Sequence, residues 1–236
     1  MKLANCLSTL AITLALGLLA SNLNAAEKKA ATDVDSGILT QELQRVSNDS
    51  GIFVAWWMPA EFWAVALGNE KSLTEAQLEE VMKILRQYTF IAVVDGEVGG
   101  AAVDFQDRAA VAKSLSVEVV DAAGKARKVV PLEPAPEDVQ PLLKTLVPAM
   151  GAAMGNLGRN LHFFVFQDQV ENARLFSPFE TGAVVVKLSG RTSRQDISLS
   201  IDRPIDSLLV PRLCANGKPA HVSWNFCPWD GKKLPQ

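Results

Sequence analysis

The chain has 236 residues, of which 48% are hydrophobic, and its 23 basic and 26 acidic side chains give a net charge of −3. This length is enough for one sizeable hydrophobic core or two small ones. The sequence contains no basic stripe or long run of Lys and Arg, so it predicts no nucleic-acid partner.

The N-terminus has the three parts of a secretory signal peptide. Met1-Lys2 gives a positive start, residues 7–20 form an apolar run, and the small residues Ala25 and Ala26 precede the charged Glu27. The run is shorter than the roughly 20 apolar residues of a membrane span, which favours a cleaved signal over an uncleaved anchor. We therefore expect residues 1–25 to be removed, an exported (periplasmic or extracellular) mature protein, and no transmembrane anchor after processing.

Residues 26–210 are predicted to form one α+β domain. The segment 26–35 is expected to be mobile, and helices are predicted within 36–50, at 60–67, at 73–88 and after Pro141. Ser72 and Glu75 match a capping box at the third helix. Strand-like runs lie at 52–57, 89–94, 97–105, 115–120, 126–131, 161–166, 183–188 and 196–201.

The Asp95-Gly96 pair predicts a hairpin turn between the runs 89–94 and 97–105. Because strands and helices are grouped rather than strictly alternating, the pattern predicts a mostly antiparallel sheet of about seven strands with three or four helices.

The segment from Trp56 to Trp63 contains three of the five tryptophans and the carboxylate of Glu61. Aromatic rings beside a carboxylate suit a sugar-binding or glycoside-cleaving cleft, with Trp56, Trp57 and Trp63 stacking on the sugar and Glu61 as the acid. The alternative is that the rings belong to the core and Glu61 occupies the first turn of its helix, where the helix dipole favours a negative charge.

His162 is the second catalytic candidate, because it lies in an apolar strand-like run and a histidine can act as a general base. The alternative is an outward-facing side chain or one satisfied by a backbone carbonyl. The sequence contains no Gly-x-Ser-x-Gly elbow that would supply a partner nucleophile.

The C-terminal segment 211–236 is predicted to be a separate tail. Its sequence Cys227-Pro-Trp-Asp-Gly-Lys-Lys-Leu234 resembles one half of a zinc ribbon, Cys-Pro-x-Cys-Gly-x-x-Leu, with Asp230 in place of the second cysteine. The upstream Cys214-Ala-Asn-Gly is incomplete in the same way. The resemblance implies a degenerate ribbon that has lost its metal. The alternative is a zinc site formed by Cys214, His221, Cys227 and Asp230.

An exported chain tends to oxidise its cysteines, so we expect a Cys214–Cys227 disulfide and no cofactor, with zinc as the alternative. No catalytic constellation is complete. The sequence therefore favours a non-catalytic protein that binds a partner or ligand of the cell envelope, either an envelope protein or a glycan. The alternatives are an exported, glycan-directed hydrolase that uses Glu61 beside the three tryptophans, and a metal-binding envelope protein.

Overall fold

A computed structural model describes residues 26–48, 51–68, 73–99, 102–171, 173–190 and 195–234. The predicted signal peptide, residues 1–25, lies outside this part of the chain. The described residues form an α+β fold whose paired strands are all antiparallel, which confirms the predicted fold class. The strands divide between two larger sheets and two short ribbons, rather than forming one sheet of about seven strands.

Five α-helices are present in the described ranges, against the three or four predicted: α1 Ser36–Leu43, α2 Ala60–Gly68, α3 Glu75–Leu85, α4 Arg108–Ser114 and α5 Gln140–Arg159. Helix α3 begins with a capping box, as expected, but the residues are Thr74 and Gln77. The predicted pair was wrong because Thr74-x-x-Gln77 fits the same pattern two residues later.

Thirteen strands occur in the same ranges: β1 Gln44–Ser47, β2 Gly51–Met58, β3 Tyr88–Gly99, β4 Ala102–Phe105, β5 Leu115–Val120, β6 Ala126–Val129, β7 His162–Gln167, β8 Gln169–Val170, β9 Ala173–Arg174, β10 Gly182–Leu188, β11 Ile197–Arg203, β12 Arg212–Leu213 and β13 Pro219–Ala220. The first sheet has the order β1-β2-β3-β4. β7 also pairs with β3, along residues 88–93, whereas β4 pairs with residues 96–99 of the same strand. The second sheet has the order β11-β10-β5-β6.

The Asp95-Gly96 pair is not a turn, so this prediction was wrong. β3 runs straight through both residues, and Gly96 lies opposite Phe105 of β4. A Cβ atom at position 96 would lie 2.8 Å from the Phe105 ring, so the glycine makes room for a cross-strand aromatic side chain.

The short helix predicted within 36–50 is present as α1, which ends at Leu43, where the chain continues directly into β1. One other local expectation was wrong. The segment expected to be mobile is ordered from residue 26, since Lys28 forms an antiparallel bridge with Leu209. This bridge joins residues far apart in the chain, and such pairing leaves no periodic signal in the local sequence.

Helix α5 is the least buried of the helices. Gly158 is its only buried residue, and the apolar residues on its inner side are only partly covered. Pro148 lies inside the helix, and the backbone leaves helical geometry further on, at Gly155, whose φ of 59° is tolerated best by glycine. Helix α5 therefore lies loosely against the first sheet.

Candidate functional site

The tryptophans beside Glu61 lie in the core. Trp56 and Trp57 come from β2 and Trp63 from α2, and their exposed fractions are 8%, 0% and 4%. Phe62 makes edge-to-face contacts with Trp56 and with Trp63, at centroid distances of 5.4 and 5.1 Å. Trp63 in turn makes an edge-to-face contact with Phe90 of β3, at a centroid distance of 5.6 Å. These rings join α2 to the first sheet, which is the core arrangement considered above.

The indole N–H groups of these tryptophans differ in their hydrogen bonding. Trp57 donates from Nε1 to Oγ1 of the buried Thr89 at 2.8 Å. The Nε1 atoms of Trp56 and Trp63 are buried and have no hydrogen-bond partner among the described residues. Their contribution is thus apolar packing.

Glu61 forms an ion pair with Arg174 of β9. The guanidinium nitrogens lie 2.5 and 3.2 Å from the two carboxylate oxygens, and 21–23% of each side chain is exposed. Burial alone lowers the pKa of Arg174, but hydrogen bonds and attraction from Glu61 and Asp168 outweigh this effect and raise it. The charge of Glu61 is therefore compensated by Arg174. Glu61 also lines a cavity of about 230 Å³, together with Arg86.

Asp168 is a second carboxylate that pairs with Arg174, and it was not identified from the sequence. It is fully buried, lies 2.7 Å from Arg174 and accepts the backbone N–H of Phe176 at 2.7 Å. Asp168 and Arg174 tie the β8–β9 ribbon to α2 through Glu61. Sequence offers no signal for this network, because Arg174 is 113 residues from Glu61.

His162 lies at the start of β7 and is half-buried. Its Nε2 atom donates to the backbone carbonyl of Gln106 at 2.9 Å. This is the backbone-satisfied arrangement that the sequence analysis weighed against a general base. The structure does not bring His162 into contact with Glu61.

The predicted disulfide is confirmed: Cys214 and Cys227 are bonded, with their Cα atoms 5.6 Å apart. Both cysteines are buried, together with Ala220 and Leu234, in a small cluster distinct from the main core. The C-terminal tail therefore has a hydrophobic centre of its own, built around the disulfide.

The first cysteine opens a tight turn. Cys214 donates its backbone N–H to the Lys218 carbonyl at 2.9 Å, and the Asn216 side chain accepts the Lys218 N–H at 3.0 Å. Gly217 between them has a φ of 77°, in the left-handed region that glycine adopts most readily.

The second cysteine opens a turn of the same kind. Cys227 donates its backbone N–H to the Lys232 carbonyl at 2.8 Å, and the Asp230 side chain accepts the Lys232 N–H at 3.0 Å. Gly231 has a φ of 69°. The tail is thus a pair of matching Asx-Gly-Lys knuckles joined by a disulfide, and Asp230 stabilises its own turn.

The alternative zinc ligands have other partners in this structure. His221 is hydrogen-bonded through Nδ1 to the Ser223 hydroxyl at 2.7 Å, and both thiols form the disulfide. Among the described residues, no three His, Cys, Asp or Glu side chains are grouped so that they could hold a metal ion. Zinc binding by Cys214, His221, Cys227 and Asp230 stays a hypothesis about the reduced protein.

Three large aromatic side chains are exposed on this tail. The exposed fractions of Trp224, Phe226 and Trp229 are 44%, 60% and 51%. The exposure of these rings was not predicted from the sequence. A usable signal was the aromatic content of a segment too short to bury several large rings.

The backbone that carries these rings is fixed. Arg212 donates to the carbonyl of Trp224, and Phe226 forms an antiparallel bridge with Lys233. The ammonium group of Lys218 lies 5.3 Å from the centroid of the Trp229 ring. The tail therefore presents exposed rings from a backbone held by a disulfide and hydrogen bonds.

Comparisons with protein-family models, curated proteins and solved structures found no match. None of the helices in the described ranges has both the length and the apolar character that crossing a membrane requires.

Proposed function

We propose that this protein is an exported, non-catalytic binding protein of the cell envelope, and that its C-terminal tail binds a glycan. The observation that carries the proposal is the contrast between the two tryptophan groups. The tryptophans beside Glu61 are at most 8% exposed, whereas Trp224 and Trp229 are 44% and 51% exposed on a disulfide-bonded frame.

Exposed aromatic rings on a rigid backbone suit binding. Trp224, Phe226 and Trp229 lie within six residues of the chain, and large exposed apolar surface often marks an interaction site. The disulfide and the knuckle hydrogen bonds reduce the conformational entropy that these rings would lose when a ligand binds.

The surroundings of the rings favour a glycan over a protein partner. Along the chain, Ser223 and Asn225 flank Trp224, and Asp230 follows Trp229, so polar residues alternate with the aromatic ones. A sugar presents the same alternation of apolar faces and hydroxyl groups. A standard protein interface needs about 20–30 residues on each side, which would involve almost the entire tail.

The two alternatives require changes to the described arrangement. A hydrolase would have to release Glu61 from Arg174 before its carboxyl group could transfer a proton. A metal-binding protein would have to reduce the disulfide. For these reasons we favour binding over catalysis or metal coordination.

The test uses the protein that begins at Ala26, sedimented with insoluble peptidoglycan, and the variants Trp224→Ala and Trp229→Ala. We expect each variant to weaken binding about tenfold or more, in the range of measured binding hot spots, without lowering the melting temperature. The matched control is Val130→Ala, which alters an exposed apolar residue outside the tail.

Two results would overturn the glycan proposal. One is wild-type protein that binds neither peptidoglycan nor other envelope polysaccharides. The other is binding that both tail variants retain in full. A photo-crosslinker at position 224 that captures one defined protein while glycan binding is absent would identify the protein-partner alternative.

A further inference from the structure

A second concave site lies far from the tail in the sequence, between β7, α5 and the segment 131–135. Its volume is about 460 Å³, within the range of small-molecule sites. The segment 131–135 follows the outer edge of β7, where Leu132 donates its N–H to the Val165 carbonyl at 2.8 Å. The cavity is therefore built from the first sheet and its flanking elements.

The inner walls of this cavity are apolar. Leu161, Phe163 and Val165 alternate along the chain, so they present one face of the strand, and each is at most 5% exposed. Leu143 and Val147 of α5 form the opposite wall, and Val147 is 42% exposed. Apolar surface thus remains accessible at the open side, where a ligand with an apolar body would cover it.

The rim of the cavity holds one cation and one anion. Arg108 forms an ion pair with Glu133, and the two side chains are 47% and 43% exposed. An ion pair this exposed contributes little to stability, so either charge can exchange its partner at small cost.

The two charges are not held equally. The guanidinium carbon of Arg108 also lies 4.9 Å above the centre of the Phe164 ring, within the range of a cation–π contact. In the described ranges, Glu133 has no hydrogen-bond or ion-pair partner besides Arg108. Glu133 is therefore the easier of the two to displace, and an incoming anion would find Arg108 already positioned.

We propose that this cavity binds an amphipathic anion. The apolar chain of the ligand lies between β7 and α5, and its carboxylate or phosphate replaces Glu133 on the guanidinium of Arg108. The ligand class is a fatty-acid-like molecule, either free or as the acyl chain of an acidic lipid. The proposal does not depend on glycan binding by the tail, because the two sites share no residue.

The test is calorimetric titration of the protein beginning at Ala26 with decanoate below its micelle concentration, compared with decanol. We expect decanoate to bind one-to-one and more tightly than decanol. Arg108→Gln should weaken decanoate binding about tenfold or more, because a charge-assisted hydrogen bond is lost, and should leave decanol unchanged. Glu133→Gln should strengthen decanoate binding, since it removes the competing carboxylate.

Controls separate the site from general effects. Arg127→Gln removes an exposed cation on β6, outside the cavity, and should change nothing. Val147→Trp fills the open side at an exposed position and should abolish binding of both ligands without lowering the melting temperature.

Flotation with phosphatidylglycerol vesicles distinguishes the source of the ligand. If the protein floats with the vesicles and decanoate abolishes this flotation, the ligand is an acidic lipid. If the protein binds decanoate but does not float, the ligand is a free acid. The proposal is overturned if neither decanoate nor vesicles bind, or if Arg108→Gln and Glu133→Gln leave decanoate affinity unchanged.

Discussion

Trp63 shows how a ligand-like sequence pattern can belong to the core. Its ring contacts Phe62 and Phe90 and is 4% exposed, so truncation would leave a cavity between α2 and β3. We expect Trp63→Ala to lower the free energy of unfolding by about 3–5 kcal/mol, the usual effect of removing a large buried aromatic side chain. Urea denaturation followed by circular dichroism measures the change.

The matched control for Trp63→Ala is Trp224→Ala, the same truncation at an exposed ring. It should change the free energy of unfolding by less than about 0.5 kcal/mol. If the Trp63→Ala protein were stable but no longer bound a glycan, the binding site would lie in the segment from Trp56 to Trp63 instead of the tail.

The Glu61–Arg174–Asp168 network leads to unequal effects of mutation. Glu61→Gln should destabilise the protein by about 1 kcal/mol, since Arg174 keeps its contact with Asp168. Arg174→Met should destabilise it by about 3–5 kcal/mol, because it leaves the fully buried Asp168 carboxylate without its counter-charge. Thermal and urea unfolding of the two variants give the comparison.

If Glu61→Gln instead abolished a hydrolytic activity while stability stayed intact, Glu61 would be a catalytic group and the hydrolase alternative would be correct. Sequence could identify Glu61 as a carboxylate in the first turn of a helix, but not its pairing. An ion pair between residues 113 positions apart arises from the tertiary fold and leaves no local pattern.

Among the secondary-structure elements, the strands with continuous or alternating apolar residues were predictable. Five of the predicted strand-like runs are strands at nearly the expected bounds, namely β2, β5, β7, β10 and β11. Continuity through Asp95-Gly96 was not predictable, because the local pair favours a turn. In the structure, Gly96 is paired on both sides, with Ile52 of β2 and with Phe105 of β4.

The C-terminal tail is the element whose chemistry was easiest to anticipate, because two of the three cysteines lie outside the predicted signal peptide and a pair of cysteines in an exported protein tends to form a disulfide. Its small hydrophobic centre depends on the disulfide. We expect Cys214→Ser with Cys227→Ser to destabilise the tail by about 3 kcal/mol, the effect of opening a loop of about 14 residues. Hydrogen exchange should show faster exchange of the knuckle amides at Lys218 and Lys232.

The unfolding midpoint of the two larger sheets should change little in this double variant, because the tail cluster is distinct from the main core. Peptide mapping without reductant should recover residues 214 and 227 in one linked peptide. Stoichiometric zinc in aerobically purified protein would contradict the disulfide interpretation, and His221→Ala and Asp230→Ala would then identify the remaining ligands.

For the whole molecule, grouped helices and strands were enough to predict the α+β class, but not the division into two sheets. Both sheets bring together strands from distant parts of the chain: β7 pairs with β3, and β10 pairs with β5. Strand order depends on which apolar faces fit together in three dimensions. The apolar pattern of each strand alone does not contain that information.

Export is a prediction about the whole chain. We expect the natively expressed protein to begin at Ala26 or Glu27 and to be found outside the cytoplasm, because residues 1–25 have the pattern of a cleaved signal. Intact-mass analysis of the protein purified from its own cells measures the start. Retention of residues 1–25 would contradict the prediction.

The segment that follows the predicted cleavage site contributes to the fold. Glu27 accepts the N–H of Val210 at 2.7 Å, and Lys29 donates its N–H to the Leu208 carbonyl at 3.0 Å. The ammonium group of Lys28 also lies 3.8 Å from the centroid of the Phe179 ring. Cleavage before Glu27 therefore leaves intact a short bridge that ties the new N-terminus to the residues immediately before the tail.

This arrangement predicts a sharp dependence of stability on where the chain begins. A protein starting at Ala30 should be about 2 kcal/mol less stable than one starting at Ala26, since it loses two backbone hydrogen bonds, the bond from the Lys29 ammonium group to the Ser207 carbonyl and a cation–π contact. Urea unfolding of the two proteins makes the comparison, and Lys28→Gln in the longer protein isolates the contribution of the cation. If both starts gave the same unfolding midpoint, the bridge would contribute nothing to stability. The expected midpoint difference would mean that cleavage after residue 29 removes structure that cleavage after residue 25 preserves.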